Sequence, residues 1–466
     1  MIPFFPKQIA NKGPLLYLAS LTIVSMVFVK YAIPWYFMLM GLVEVLLFFM
    51  LVPKYSKVWL SLSPDKYEKK VFWTAFALRF AWVVFSYYFY TNQTGQPFEF
   101  DAADSHGYHG EATWLALEPW SRVFDYLFRS RSGYSDSGYC LYLTLVYKLF
   151  GSNIIVPRFF KAIYSALTCV LLYKLTVRLL GEKVARMAGV MAMLMPNLII
   201  YCGLHLKETE MLFLSVAFLE RADYLLRAKK ISILNVLIPL FLAGSLFLFR
   251  TVLGAVAFFS LITALMFSPS RKVKKGRKVF VFLWVVLAVL VLAGGAIMNE
   301  VEELWVNRSR NQELKRTEQT IRGNQWAKYA TGTVMAPMSF VLPFSSMVNT
   351  DQRNQLVLHG GNYVRNFMGA FAFIALFSAL FVKKNWRDFA LIGSFAIGYI
   401  GAVSLSGFAN SERFLLPGLP CLIIFWAYGI SVLNAKSFRF VKIWYWVVPV
   451  MEIAWSVFKI GSRGLL

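Results

Sequence analysis

The stretch VFWTAFALRFAWVVFSYYFY at residues 71–90 decides the fold, and FEFDAADSHGYHGEA at residues 98–112 follows it after a short connection. A mostly apolar run of this length is long enough to cross the roughly 30 Å hydrocarbon core of a bilayer as a helix. The second stretch holds four carboxylates and two of the 4 histidines. Acidic groups beside a membrane helix are costly to desolvate and therefore usually have a function. The sequence thus predicts a site at the end of a membrane-spanning helix.

Similar apolar stretches recur along the chain, which has 466 residues, 58% of them hydrophobic and only 15% charged, and a mean hydropathy of +0.57. A lipid-exposed backbone must satisfy its own hydrogen bonds, which helices do, so we predict an all-α polytopic membrane protein. The apolar stretches suffice for about 13 transmembrane helices. The net charge of +24 is typical of basic cytoplasmic loops in such a protein, so no nucleic-acid partner is expected. The 4 cysteines show no metal or disulfide spacing and are expected to be small buried side chains.

Basic clusters between the apolar stretches predict the orientation. The strongest is RKVKKGRK at residues 271–278, and placing it and the other clusters in the cytoplasm gives a consistent path from a cytoplasmic N-terminus. The loops 91–157 and 299–362 then lie outside, so we expect the site to face the extracytoplasmic side of the plasma (inner) membrane. Two short apolar stretches, 113–128 and 139–150, are predicted to be helices in the membrane interface.

The same path divides the chain into four segments. They are 1–70 with an N-terminal helix pair and a basic cytoplasmic loop, 71–298 with the core, 299–362 with a basic extracytoplasmic loop, and 363–466 with the C-terminal membrane helices. Arg79 lies inside the predicted span 71–90 and on its cytoplasmic half, so we expect it to be structural. The composition of the last apolar stretch, 441–459, leaves open whether it spans the membrane or lies in the interface.

The acidic stretch is the first candidate for chemistry. Carboxylates near an apolar boundary acquire different pKa values, which suits one of them to act as a general base. The alternative is an ordinary solvated loop with a helix-capping aspartate. A divalent-metal site made from His106, His109, Glu111 and His205 is not favoured, because no HExxH or comparable spacing is present. No cofactor is predicted.

Other outer bends also carry charge: HLKETE at residues 205–210, the lone Arg250, and SERFLLP at residues 411–417. A single charged side chain near a helix end often only extends to the lipid headgroup layer. Because all of these groups are expected on the extracytoplasmic side, the alternative that some of them line one cavity is favoured. The loop 299–362 adds several cations, Arg316 among them, where basic residues are disfavoured. They suit a phosphate headgroup, or they pair with the glutamates of the same loop.

Four segments resemble, in order, the motifs of the integral-membrane GT-C glycosyltransferases, in particular the protein-mannosyltransferase and aminoarabinose-transferase branch. DSHGYHGEA at 104–112 is similar to the D-x-x-x-Y-x-x-x-A motif of the first outer loop. Residues 138–151 followed by Arg158 are similar to the G-x-Y…lfG…R segment, and residues 196–208 take the place of the P…y outer bend. RFLLP at 413–417 with Pro420 is similar to the late RYLLP…P signature.

This resemblance implies transfer of a sugar from a polyprenyl-phosphate carrier to a lipid, glycan or protein acceptor on the outer side of the membrane. It also implies that an aspartate in the first outer loop is the catalytic base, and Asp104 matches that position. The acidic residue that usually follows is Ser105 here, which leaves room for Asp101 or Glu111 to share the role. The side chains expected to bind substrate are Tyr108, His109, His205, Lys207, Glu208, Arg250, Arg316 and Arg413.

Two other functions remain open from the sequence. A polysaccharide polymerase or ligase acting on polyprenyl-pyrophosphate-linked glycans would have a similar fold and would depend more on paired loop arginines than on Asp104. A lipid or solute transporter or flippase would need broken helices and polar residues near the midplane. The charges here cluster at the outer rim of the predicted spans instead, which favours the transferase.

Overall fold

The structure is a computed structural model that describes residues 2–130, 137–228, 232–267, 338, 341, 344–349, 352–405 and 412–461. Within these ranges the chain is helical and contains no strand. The all-α membrane fold predicted from the apolar stretches is therefore confirmed at the level of helix type.

The main helices follow one another along the whole described chain. Their bounds are α1 Lys7–Val27, α2 Trp35–Val58, α3 Pro64–Thr94, α4 Ala103–Leu117, α5 Trp120–Asp125, α6 Ser137–Phe150, α7 Ile155–Leu180, α8 Glu182–Leu194, α9 Pro196–Ile200, α10 Glu208–Arg227, α11 Ile233–Phe249, α12 Thr251–Phe267, α13 Arg353–Val357, α14 His359–Phe377, α15 Ala390–Leu405, α16 Glu412–Leu415, α17 Leu419–Ser431 and α18 Ala435–Gly461.

Six helical segments among the described residues are long and apolar enough to cross a membrane, or seven if the bent pair α8–α9 counts as one span. They are Trp35–Ser61, Pro64–Thr94, Ile155–Leu180, His359–Val382, Glu412–Ser431 and Ala435–Gly461. The predicted number of about 13 is not confirmed. The last apolar stretch, left open above, lies within a 27-residue helix that qualifies as a span by length and composition.

Helix α3 shows how the sequence places the site. Pro64 stands at its first turn, where the missing N–H costs nothing, and Gly95 ends it with a φ of 77°, a left-handed conformation that only glycine adopts freely. The predicted span 71–90 lies inside this helix. The chain then turns through residues 96–102 and starts α4 at Ala103, so Asp104 comes directly beyond the end of the span.

The two predicted interfacial helices have different outcomes. The stretch 139–150 is a helix, Ser137–Phe150, as expected. The prediction of one helix over 113–128 is wrong, because α4 ends at Leu117 and α5 starts at Trp120. Pro119 lacks an N–H and pushes Glu118 into an extended conformation with ψ of 153°, which stops α4.

Arg79 is fully buried in α3 and has the structural role predicted for it. Its guanidinium donates to the carbonyls of Ala192 and Met193 at 3.1 and 3.0 Å and to Ser165 Oγ at 2.6 Å. Those carbonyls lie at the end of α8, where Pro196 interrupts the helix and leaves C-terminal acceptors without intrahelical donors. The cation therefore stabilises the bend between α8 and α9. The 4 cysteines are free thiols and buried, as expected.

Candidate functional site

Asp104 lies in the first turn of α4, where the helix dipole favours a negative charge. Its side chain is 55% exposed, so the carboxylate can meet a substrate. Arg413, at the start of the segment that leads into α17, donates from Nη1 to Asp104 Oδ2 at 2.5 Å. The first outer loop and the late RFLLP segment are thereby joined at one point.

The same guanidinium also binds Glu208 at the start of α10. Arg413 Nε donates to Glu208 Oε1, and Glu208 is fully buried whereas the arginine side chain keeps 23% of its surface exposed. Arg413 thus bridges two carboxylates, one half-open and one enclosed. Three residues that are far apart in the sequence and were each singled out there are brought into direct contact.

Two more cations adjoin this cluster. Arg250, between α11 and α12, has Nη2 3.9 Å from Glu208 Oε1 and donates from Nη1 to Tyr399 Oη at 2.8 Å. Lys207 donates from Nζ to the carbonyl of Phe249 at 2.9 Å. Burial, together with the nearby Arg250, lowers the pKa of Lys207 to about 7. We call Asp104, Lys207, Glu208, Arg250 and Arg413 the charged cluster.

Other predicted site residues lie on the same helix as Asp104. Tyr108 is one turn further along α4, and its pKa is raised by burial and by Glu208. Glu111, seven residues after Asp104, accepts from Cys140 Sγ at 2.9 Å and is about 10 Å further along the axis. Asp101 precedes α4 with a φ of 50°, a conformation that aspartate tolerates better than most residues.

The predicted histidines form a separate group. His109 Nδ1 lies 2.8 Å from Tyr147 Oη, which lies 3.2 Å from Nε2 of His205. Burial lowers the pKa of both histidines, and Arg158 lowers that of His205 further. Both rings are therefore neutral near pH 7 and donate or accept hydrogen bonds rather than supply charge. The structure links them to each other and to Tyr147.

Arg316 and the neighbouring loop cations lie outside the described residues. Arg353, from the end of that loop, stacks over the ring of Phe100 at 5.7 Å, beside the first outer loop. Among the residues that the structure describes, no three histidine, cysteine, aspartate or glutamate side chains are grouped so that they could hold a metal ion.

The sequence did not point to Glu99, Ser105 or Glu412 as site residues. Glu412 is buried directly before Arg413 and accepts hydrogen bonds from Asn197 at 2.5 Å and Tyr201 at 3.3 Å. Glu412 belongs to the charged bend 411–417 described above, from which only Arg413 was selected as a binding residue. Glu99 and Ser105 had no signal that set them apart, because both belong to an already polar stretch.

Comparison with known proteins bears on this geometry. Residues 139–295 match the family described as dolichyl-phosphate-mannose-protein mannosyltransferases. The matched segment is similar to a GT-C-type glycosyltransferase domain. The match supports a membrane glycosyltransferase of the mannosyltransferase-like kind, in agreement with the resemblance drawn from the motifs. No curated protein matches the chain.

The segment that matches the family includes most of α6 and runs through α12, and it therefore contains Lys207, Glu208 and Arg250 of the charged cluster. Asp104 and Arg413 lie outside the matched residues, on either side. The fold brings them onto the matched segment through Glu208. The charged cluster is thus assembled where the matched segment meets the two flanking parts of the chain.

Proposed function

We propose that the protein transfers a sugar from a polyprenyl-phosphate-linked donor to an acceptor hydroxyl on the extracytoplasmic face of the membrane, with Asp104 as general base. The observation that carries the proposal is the bridge from Arg413 to Asp104 and Glu208, flanked by Arg250 and Lys207. It sets a half-exposed carboxylate beside several cations in one place. A base and an anion-binding surface are what such a transfer requires.

The charge of the cluster favours a donor with a single phosphate. Its described side chains are two carboxylates, Asp104 and Glu208, and three cations, Lys207, Arg250 and Arg413, which leaves an excess of one positive charge when Lys207 is protonated. A sugar linked to polyprenyl phosphate is a phosphodiester with one negative charge, which this excess balances. The polymerase or ligase alternative depends more on the loop cations, which include Arg316 and lie outside the described residues.

The chemical step follows from these positions. The Asp104 carboxylate takes the proton of the acceptor hydroxyl, and the hydroxyl oxygen bonds to the anomeric carbon of the sugar. The bond from that carbon to the phosphate oxygen breaks, and its electron pair leaves with the phosphate. The leaving phosphate gains negative charge, which Arg250, Arg413 and protonated Lys207 stabilise.

The decisive experiment replaces the base. Asp104→Asn keeps the size of the side chain and one oxygen that can accept from Arg413, but it cannot take a proton. We expect transfer to be lost while the protein still folds. The assay measures release of polyprenyl phosphate from polyprenyl-phosphate sugars, mannose first, in membranes that contain the native acceptor. Full turnover by Asp104→Asn would refute the assignment.

Matched variants sharpen this test. Asp125→Asn changes an exposed aspartate on α5 in the same outer loop and should retain full activity. Asp101→Asn and Glu111→Gln test whether either acid shares the role of general base. If Asp104 is the only base, both variants should remain active. A donor series with one phosphate or a pyrophosphate distinguishes the two functions, because the proposed transferase should turn over the single-phosphate donor and a polymerase or ligase the pyrophosphate donor.

The orientation has its own test. Asp101 is exposed beside α4, so Asp101→Cys gives a thiol close to the charged cluster. The 4 natural cysteines are buried and give little background. In intact cells a membrane-impermeant maleimide should label this variant. Labelling only after the membrane is opened would place the cluster on the cytoplasmic side.

A further inference from the structure

Glu99 is buried in the loop between α3 and α4, although it belongs to the acidic stretch. One carboxylate oxygen accepts from the hydroxyl of Ser105, and the other lies 3.4 Å from the backbone nitrogen of His205. The Ser105 hydroxyl is also 3.1 Å from the carbonyl oxygen of His205. Glu99 accepts from the His205 N–H, and the single hydroxyl proton of Ser105 lies between Glu99 and the His205 carbonyl oxygen, so the first outer loop contacts the backbone of His205 at both residues.

The bend at residues 204–207 is held from its other side by α7. Lys161 is fully buried and donates from Nζ to the carbonyls of Leu204, at 2.9 Å, and Leu206. Arg158, one turn earlier, donates to the carbonyl of Pro97 at 2.5 Å, in the loop that carries Glu99. One cation and one carboxylate therefore hold the bend, and a second cation holds the neighbouring loop.

Both ends of this contact lie next to the charged cluster. Ser105 directly follows Asp104, and His205 precedes Lys207 and Glu208 by two and three residues. The position of the base relative to the cations is therefore set where Glu99 binds Ser105 and His205. In the GT-C motif that residues 104–112 resemble, an acidic residue usually follows the aspartate. In this chain Ser105 takes that place and donates to the carboxylate of Glu99.

We propose that Glu99 is a positioning residue, which through Ser105 and His205 holds Asp104 opposite Lys207, Glu208 and Arg413. This inference rests on the proposed function, because it assigns Glu99 the task of placing the base. A carboxylate suits the position because both of its oxygens accept. Glutamine offers one acceptor oxygen and one NH₂ donor, so either Ser105 or the His205 N–H loses its partner.

The variants Glu99→Gln, Glu99→Asp and Ser105→Ala test the proposal, with release of polyprenyl phosphate from polyprenyl-phosphate mannose as the readout. Glu99→Gln should lower kcat by about 10-fold to 100-fold, the range in which a misplacement near 1 Å acts, and leave KM for the donor within about twofold. Glu99→Asp keeps both acceptors and should recover part of the loss. Adding Ser105→Ala to Glu99→Gln should lower kcat only slightly further, because the two side chains act through one contact.

Two control variants lie in the same loop. Glu118→Gln removes a carboxylate that pairs with the exposed Arg122. Thr113→Ala removes an α4 hydroxyl without a hydrogen-bond partner among the described residues. In both control variants kcat should stay within about twofold of the wild-type value, a much smaller change than the one expected from a misplaced base. A Glu99→Gln enzyme with unchanged kcat, or with a loss fully additive to that of Ser105→Ala, overturns the proposal.

Hydrogen exchange separates this inference from the proposed function, because it needs no donor. In Glu99→Gln the amides of the bend at 204–207 and of the first turn of α4 should exchange faster, whereas those of α17 should not change. Unchanged exchange in the bend would contradict the positioning role. If Asp104→Asn proved fully active while exchange at the bend still rose, the base assignment would fail and the structural contact made by Glu99 would stand.

Discussion

Arg413 stabilises the buried, ionised carboxylate of Glu208, and substitutions at the two residues measure how much this ion pair contributes to the free energy of unfolding. Glu208 is fully buried, its Oε1 is held by Arg413, and its Oε2 has no hydrogen-bond partner among the described residues. Arg413→Gln removes the closest counter-charge and leaves Arg250, at 3.9 Å, as the remaining ion-pair partner in that part of the chain. A buried carboxylate that loses its partner is costly, because water cannot replace the lost interaction.

The distances give the magnitude. Breaking a buried pair by removing one partner costs about 3–5 kcal/mol. Arg250, with Nη2 3.9 Å from Glu208 Oε1, stays in place in Arg413→Gln, so the buried carboxylate keeps one cation nearby. We therefore expect Arg413→Gln to lower the free energy of unfolding by about 3 kcal/mol, the low end of that range.

The assay is a double-mutant cycle on unfolding of the purified protein in lipid nanodiscs. Glu208→Gln together with Arg413→Gln removes both charges, and this double variant should be more stable than Arg413→Gln alone. Arg122→Gln is the matched control, because it breaks an exposed pair with Glu118 at 2.9 Å and should cost less than about 1 kcal/mol.

The reasoning would be refuted if Arg413→Gln lost no more stability than Arg122→Gln, or if adding Glu208→Gln lowered stability further. Activity is expected to follow a different order. Every variant without Arg413 should be inactive in transfer, including the double variant that recovers stability, because the cation is needed at the phosphate and not only by Glu208.

Three further predictions concern pH and packing. Since the pKa of Lys207 is lowered to about 7, kcat/KM should fall as the pH rises through that value, and Lys207→Arg should move the fall to higher pH in a pH–rate profile. The same shift should make the fold more stable as pH rises from about 7 towards 10.5, because the unfolded chain holds the proton more tightly, as unfolding at several pH values would reveal. Gly429→Ala should destabilise the fold by about 1–3 kcal/mol, because the added Cβ would lie 2.0 Å from the carbonyl oxygen of Phe371 on α14. Gly393→Ala places its Cβ in open space and should not destabilise the fold. Thermal unfolding of both variants is the measurement.

The fold was predicted from the sequence wherever one apolar stretch makes one element. The helix over 71–90 and the short helix over 139–150 follow from length and polarity alone. The break at Pro119 was missed because the apolar spacing of 113–128 continues across the proline, and the local backbone rule outweighs the periodicity. The number of membrane spans could not be predicted in this way. The composition of short apolar helices such as α11 and α12 does not determine whether they cross the membrane.

The site was predicted as a set of residues on one side of the membrane, but its pairings were not. Asp104, Glu208, Arg250 and Arg413 were each selected for charge at an outer bend, and the structure brings them together. That Glu208 would be fully enclosed, while Asp104 stays half-open, depends on tertiary packing that no local pattern encodes. For the same reason His205, at an outer bend in the sequence, could not be foreseen as a buried neutral ring.

The N-terminal helix pair, α1 and α2, makes polar contacts that tie it to α14. Tyr17 Oη lies 2.7 Å from Nε2 of His359, and Glu44 Oε2 accepts from the backbone N–H of Gly361 at 2.7 Å. A shortened protein that began at α3 would leave an imidazole and a peptide N–H of α14 without these hydrogen-bond partners, and inside a membrane no solvent molecule can replace them. Minimal versions of this protein must therefore retain both helices, and a designer who removes them has to rebuild that face of α14 first.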